Sequence, residues 1–544
     1  GTLNLNDDGF FVVGDRDGLA AQGDGTINQT GGTVSVANTA DLYLGGYGDS
    51  TYNLEGGTLE IGGNSLRGNF STASTPYDFN LQGGTILVSG SDLDTDVDIN
   101  VNDIDGNAST TTTSYVDTNS LNATLSGDIS GTGDVTGING SLAKIGSGVL
   151  NLASGSAVRT LASIYVDDGS IDHQDGTTNL AALFVGAYST LANNTDGTFT
   201  LSDGTVDVDL ADGGAVFVGS GSAQTNEGTL NIDGGTLNLG DASAPATRVD
   251  FYVGAFGGTG TVTQTGGSVN KFADIGILHV GNQSSSGGIY NLEGGNLNIE
   301  GTEGMALGRS STSTAGEGTL NVSGGTLSID GSYLFLGGAQ GTEPQTGSGT
   351  VNQTDGLVSL VNGAGLTIGR RGSGTYNLDG GALEVSGSIN KSRTLAGGSN
   401  LNLGGGTLRA IENDLDISSD VVTTLDASTN STFDTNGQNI VVPGGLAGTG
   451  SFTKVNAGDL ELGGTTTLSG TSTNTGDGNI IIGSATAGTG TLNLNTGAAL
   501  NVDDSTGSGF SRIIVGNDGT GTMNIDGGTV DLRYYAGNGA TFRV

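Results

Sequence analysis

One twelve-residue phrase, G-T-x-N-x-x-G-G-x-L-x-V, recurs along the chain and constrains its fold more than any other feature. It stands at Gly25–Val36 and returns at Gly228–Leu239, Gly318–Ile329, Gly374–Val385 and Gly521–Leu532. Its asparagine slot is filled at Asn28, Asn53, Asn80, Asn231, Asn291, Asn321, Asn352, Asn377, Asn402, Asn493 and Asn524, and slots of adjacent coils are 25 to 31 residues apart. A second phrase, aliphatic-x-aliphatic-Gly, falls between the copies. Examples are Leu42-Tyr43-Leu44-Gly45, Val216-Phe217-Val218-Gly219, Leu278-His279-Val280-Gly281 and Leu366-Thr367-Ile368-Gly369. Short alternations of apolar and polar residues mark strands with one buried face. Their recurrence at a period of this length marks a solenoid.

Each period holds about three such runs. The reading is all-β: a right-handed parallel β-helix (β-solenoid) with about three strands per coil of 25–33 residues. No sustained helical period appears. Glycine, 104 of 544 residues, has a role in such a coil. Corners need positive φ, which glycine adopts without steric cost. The pairs Gly31-Gly32, Gly56-Gly57, Gly234-Gly235, Gly294-Gly295 and Gly324-Gly325 are expected to stack as one kind of corner.

A longer repeat overlies the short one. Residues 25–63 align without gaps onto 349–387, with 22 of 39 positions identical. The expected organisation is one continuous solenoid over 1–544, with a superrepeat of about 300 residues in which 1–240 resembles 325–544. Gly1 aligns inside a corner, and neither end carries a polar cap, which solenoids need for solubility. The chain is therefore expected to be a segment of a longer solenoid, or to have its ends covered by neighbouring subunits.

Composition removes several classes of function. The formal net charge of −40 and the lack of a basic patch exclude a nucleic-acid partner. With no cysteine there is no disulfide and no thiolate metal site. No apolar run approaches the roughly 20 residues of a transmembrane segment.

Two segments depart from the plain coils: Leu142-Ala143-Lys144-Ile145-Gly146-Ser147-Gly148-Val149-Leu150-Asn151-Leu152 and Phe452-Thr453-Lys454-Val455-Asn456-Ala457-Gly458-Asp459-Leu460-Glu461-Leu462. They resemble the autotransporter-associated β-strand repeat, roughly G-x-G-x-L-x-K-x-G-x-G-x-L-x-L. The second segment has Asn456 where that pattern has glycine, and two of only four lysines occupy the lysine slot. The resemblance implies an extracellular, cell-surface β-solenoid exported by a Gram-negative-type bacterium, similar to an autotransporter passenger.

Four groups of residues are candidate sites. In the aliphatic-x-aliphatic-Gly strand the middle residue points outward. That places Tyr43, Phe184, Phe217, Tyr252, His279 and Phe335 on an outer stripe, read either as a stabilising ladder, or a face covered by a loop, or as a lateral contact to another solenoid or a glycan. The asparagines also point outward and are expected to stack as a hydrogen-bonded row. Acidic loops at Asp7-Asp8, Asp15–Gly18 and Asp92–Asp98, with Asp103 and Asp105, suggest at most loosely bound surface calcium, and no cofactor is required. His173 and His279 lie far apart in the sequence, and no nucleophile–base pair is recognisable, so the chain does not read as an enzyme. The expected function is structural or adhesive, within a surface protein or filament. Self-association into a filament or bundle, or a glycan or cell-surface partner, goes with it. The alternative is a carbohydrate-binding or polysaccharide-degrading β-helix.

Overall fold

The computed structural model describes the chain except residues 7, 16–22, 69–75, 102–111, 132–139, 154–157, 188–195, 210–212, 222–225, 242–247, 273–275, 284–285, 310–315, 339–346, 392–396, 428, 470–478, 484–488, 505–511, 518, 535–540 and 544. Among the described residues there is no helix. The fold is an all-β parallel β-solenoid with about 28 residues per turn and about three strands in each. It divides into two compact units, Gly1–Ala273 and Asp274–Val544.

In the first unit the strands stack in three columns. Column one runs through residues 25–30, 50–54, Tyr77–Leu81 and Ile99–Val101, and later through Thr205–Val208 and Thr236–Leu239. Column two runs through 33–36, 58–61 and 85–88 to Gly140–Ile145, 163–166, Gly214–Ser220 and Val249–Ala255. Column three begins as a separate three-stranded sheet, Phe10–Val13, Asp41–Leu44 and Leu66–Gly68. It resumes at 93–95 and continues through Val149–Leu152, Asp168–His173, Asp196–Leu201 and Glu227–Ile232. Along many of the strands the burial alternates. Leu230 and Ile232 fill the bore, for instance, while Asn231 faces out.

The second unit has three columns of its own. One contains Thr326–Asp330, Leu357–Val361, Thr407–Ala410 and Asn430–Asp434. Another contains Met305–Arg309, Tyr333–Leu336, Gly365–Ile368 and Ile440–Val442. The third contains Glu317–Val322, Ser348–Gln353, Ser373–Leu378 and Ser399–Leu403.

The sequence phrases do not keep to one column. In the first unit G-T-x-N lies in column one at 25–28 and in column three at 228–231. The aliphatic-x-aliphatic-Gly phrase moves from column three at Leu42–Gly45 to column two at Val216–Gly219. The second unit makes a shift of the same kind. There G-T-L-N at 318–321 occupies the third column, whereas G-T-L-N at 490–493 stacks on Asp459–Leu462, in the column of Leu366–Gly369. Next to each shift the turns shorten: Leu142 pairs with Ile164 and Leu161 with Leu180, and Ile440 with Leu460. Both lysine-bearing segments sit in these short turns.

The glycine pairs are corners, as the sequence suggests, but not one kind: in the first unit Gly31-Gly32 and Gly56-Gly57 turn from column one to column two, and Gly234-Gly235 turns from column three to column one. The second glycine of each has positive φ, 77° at Gly32 and 63° at Gly235. A Cβ on Gly235 would stand 2.6 Å from the Gly204 carbonyl oxygen of the turn below. The bore is not filled by aliphatic residues alone. Tyr52 and Tyr376 are fully buried in it. Each donates its hydroxyl to a buried glutamine, Gln29 or Gln353, at 2.6 Å. Each glutamine amide in turn donates to a carbonyl of the next turn, Thr58 at 2.9 Å and Ala382 at 2.8 Å. These two pairs lie at matching positions of the similar stretches 25–63 and 349–387.

In the second unit, outward asparagines form an unbroken run of amide bonds: Asn321 to Asn291 at 2.8 Å, Asn352 to Asn321 at 2.9 Å, Asn377 to Asn352 at 2.8 Å and Asn402 to Asn377 at 2.7 Å. Asn352→Ala deletes one donated and one accepted bond, a loss of about 1–2 kcal/mol. Amide hydrogen exchange should accelerate in Glu317–Val322 and Ser373–Leu378. Unchanged exchange would show that the run adds no stability.

Candidate functional site

The outer stripe of the first unit is an aromatic column. Parallel in-register pairing aligns Tyr165 with Phe184, Phe184 with Phe217 and Phe217 with Tyr252. Their rings stack at centroid distances of 4.6, 5.3 and 4.8 Å, with interplanar angles of 4°, 4° and 10°. Each ring is half-buried. Tyr165 was not recognised in the sequence because its phrase ends in Asp167 rather than glycine. Beside the rings, two positions earlier on each strand, Ser163, Ala182 and Ala215 form a row of small residues that ends at Asp250. Asp250 accepts from the Tyr252 hydroxyl at 3.0 Å and pairs with Arg248 at 2.8 Å. Rings stacked in this way cover one another's faces. What they present to solvent is edges, so the column suits lateral contact better than face-on stacking against a sugar ring.

The remaining stripe residues lie elsewhere. Tyr43 belongs to the separate three-stranded sheet, between Val12 and Arg67. Its hydroxyl donates to Asp41 at 3.2 Å, and the Arg67 guanidinium lies 5.9 Å from its ring centroid. In the second unit His279 and Phe335 hold the outward register, aligned through Ala306, yet each is only 1% exposed. Arg309 reaches to 3.2 Å from His279 Nε2, and Arg370 lies 4.6 Å over the Phe335 ring. These two residues are a covered face, whereas the rings of the Phe184 column are half-buried.

The asparagines also separate. Asn28, Asn53 and Asn80 form one run in the first unit, bonded at 2.7 and 2.8 Å and continuing to Asn100 at 3.2 Å. Asn231 stands in a different column and donates to Thr200 at 3.4 Å. Asn524 bonds Asn493 at 2.8 Å, and Asn493 bonds Asp459 at 3.0 Å. A single sequence row thus becomes several physical rows, because the phrase changes column.

The two slot lysines are structural. Both are fully buried. Lys144 Nζ donates to the carbonyls of Ile145, Gly146 and Asp168 at 3.0, 2.6 and 3.1 Å. Lys454 Nζ donates to Val455 and Asn456 carbonyls at 2.9 and 2.7 Å and to Thr435 Oγ1 at 2.8 Å. Burial lowers both amines to about 8, partly offset by nearby aspartates. Asn456, where a glycine stands in the other copy, has φ 64° against 78° at Gly146. Asparagine tolerates that left-handed conformation, and its amide donates to Asp434 at 2.6 Å.

A buried polar cluster lies inside the first unit. His173 and Arg159 are both fully buried. His173 Nδ1 is 2.9 Å from the Asp203 carbonyl oxygen, so Nδ1 carries the proton. Nε2 then accepts from Thr178 Oγ1 at 3.0 Å and faces Arg159 Nη1 at 3.5 Å. Arg159 also donates to the Asp175 carbonyl at 2.9 Å, with the Asp175 carboxylate 3.9 Å away.

The acidic segment Asp92–Asp98, expected as a loop, is in part a strand: Asp92–Thr95 end the strand Thr85–Thr95, with Asp92, Asp94, Asp96 and Asp98 exposed and Leu93, Thr95 and Val97 buried. Asp7, Asp17, Asp103 and Asp105 lie outside the described residues. Among the described residues no three His, Asp or Glu side chains converge on a point where a metal would sit. A shallow cleft of about 300 Å³ opens beside the acidic strand, lined by Asn64, Leu66, Arg67, Asp94, Thr95, Asp96 and Ser126. It lies where the three-stranded sheet ends at Leu66–Gly68 and column three resumes at 93–95, a discontinuity with no signal in the sequence.

No family model matches the chain, and neither a curated protein nor a solved structure shows significant similarity to it.

Burial holds the His173 imidazole below its ordinary value of about 6.5, and the Arg159 charge adds to the effect. The unfolded chain therefore takes up this proton at a higher pH than the folded chain does. Stability should fall as pH drops through about 6.5, by up to about 1.4 kcal/mol per pH unit, and His173→Gln should flatten that slope. Denaturant titrations between about pH 7.5 and 5.5 measure it. An identical slope in the variant would contradict the assignment.

Proposed function

We propose that this chain is a structural or adhesive β-solenoid segment of an exported bacterial surface protein or filament. The observation that carries the reading is the closed regularity of its outer faces. The amide run from Asn291 to Asn402 and the ring stack from Tyr165 to Tyr252 bond each turn to the next on the outside of the bore. Such ladders stiffen a stack of turns, which is the property a scaffold needs. The buried lysine corners at Lys144 and Lys454 support the likeness to autotransporter-associated repeats. The reading assigns the chain no catalytic role and no cofactor. The second reading, carbohydrate binding, is favoured by the cleft at Arg67 and Asp94.

Protease treatment of intact cells of the source organism tests the location. The solenoid epitope should disappear from whole cells while a cytoplasmic marker survives. Protection of the epitope until the cells are lysed would overturn the surface assignment.

Self-association is proposed through the half-buried aromatic column. The net charge of −40 opposes lateral contact at low ionic strength, and salt screens it. Sedimentation should therefore show bundles at about 0.3 M salt that disperse below about 0.02 M. Replacing Phe184, Phe217 and Tyr252 together by Ser should loosen the bundles and leave the β circular dichroism intact. Normal bundling by the triple variant would confine the column to a stabilising role.

A further inference from the structure

We infer that the cleft between Leu66–Gly68 and the acidic strand binds a neutral saccharide. This inference gives the adhesive reading above a chemical target. The cleft exists because two successive strands of column three are not paired as a regular ladder. The Leu66 carbonyl instead accepts from the buried Thr95 hydroxyl at 2.9 Å. That bond pins the cleft floor, and Ser126 Oγ donates to the Thr95 carbonyl at 3.1 Å beside it. The volume of about 300 Å³ falls at the lower end of the roughly 300–1,000 Å³ typical of small-molecule sites.

The lining selects the chemistry of the occupant. One lip carries Arg67, held in place by Asp41 at 2.9 Å and lying against the Tyr43 ring. The other carries the exposed carboxylates of Asp94 and Asp96, which alternate outward with buried Thr95 between them. An anion entering the cleft meets two aspartates, and Arg67, already paired with Asp41, has no spare charge to offer it. A hydrocarbon finds only Leu66. A ligand without net charge, whose hydroxyls both donate and accept, satisfies both lips at once: it donates to Asp94 and Asp96 and accepts from Arg67 and the Asn64 amide. Neutral sugars have this character. Carboxylate and guanidinium partners make the stronger, charge-assisted class of hydrogen bond.

The test is calorimetric titration of the purified chain with chitotriose, cellotriose and maltotriose, and with trigalacturonate and the chitosan trimer as charged probes. At least one neutral trisaccharide should bind with a Kd of about 1 mM or better. Because no net charge is exchanged, its affinity should stay constant between about 0.05 and 0.5 M salt. Asp94→Ala with Asp96→Ala should weaken binding by about tenfold or more, and Arg67→Ala by about fivefold. Asp416→Ala, which removes an exposed outward carboxylate from the second unit, should leave it unchanged and serves as the folded control. The inference is overturned if no neutral probe binds up to about 20 mM, if a charged probe binds more tightly, or if affinity survives the double aspartate substitution. Since this titration uses purified protein, it is decided separately from the cell-surface test.

Discussion

Everything in this protein depends on the in-register parallel pairing of each turn with the next. Parallel strands bring residue i of one turn directly over its equivalent in the following turn, about 4.8 Å away. Whatever occupies an outward slot must therefore tolerate a near copy of itself as a neighbour. Asparagine does so because its amide carries a donor and an acceptor, and Asn352 donates to Asn321 while accepting from Asn377. Aromatic rings do so by stacking, as Phe184 and Phe217 show. A carboxylate over a carboxylate is destabilising. In one outward row of the second unit the problem is solved by alternation: Arg409 sits between Glu384 and Asp434, bonded to each at 2.7 and 2.8 Å. In the first unit Asp207 is flanked by Asn179 and Asn238, the latter donating to it at 2.8 Å. Acidic residues do follow one another at the exposed strand starts Asp168, Asp196 and Glu227, where water screens them.

The same constraint explains how much of the fold was legible. A phrase that must stack on itself repeats in the sequence, so the strand class, the turn length and the glycine corners can be read directly. Tyr52 and Gln29 could not be paired in advance. They lie in successive turns, and nothing in either residue alone says that both point inward and meet at 2.6 Å. Nor could the column of a given phrase be read. Asn80 and Asn231 occupy the same slot of the same motif, but column assignment depends on how many strands separate them, and the irregular turns between them conceal that count. The outward stripe was legible where the phrase held, at Phe184, Phe217 and Tyr252. It was legible in direction but not in exposure at His279 and Phe335, because arginines from later turns fold over them. The cleft at Arg67 had no signal, since it arises from a missing pairing and not from a motif.

The lysine segments look different in light of the column shifts. In both units the phrase changes column across turns in which lysine, and not an aliphatic residue, ends an inward strand. Those turns are short, and a short turn must close its corner without a loop to satisfy the carbonyls there. A lysine stem fits the bore, and its ammonium provides three donors at the corner. Lys144 and Lys454 use all three, chiefly on carbonyls. The charge is tolerated because it is fully hydrogen-bonded, even though burial makes protonation less favourable there than in water.

The shift has a consequence for recognition. Two stretches that are nearly identical in sequence, 25–63 and 349–387, carry the same asparagine row and the same buried tyrosine–glutamine pair. A partner that reads the asparagine row, however, does not meet it on one face throughout. Within the first unit the row at Asn28–Asn80 and the slot at Asn231 belong to different columns, and within the second the row at Asn291–Asn402 and the pair Asn493–Asn524 do so as well. Each lysine segment therefore hands the motif to the neighbouring face of the coil. A solenoid unit built this way distributes one surface chemistry around its bore and not along a single edge. Within each unit the position of the lysine segment, and not the number of asparagines, then sets how many asparagines a flat ligand can engage at once.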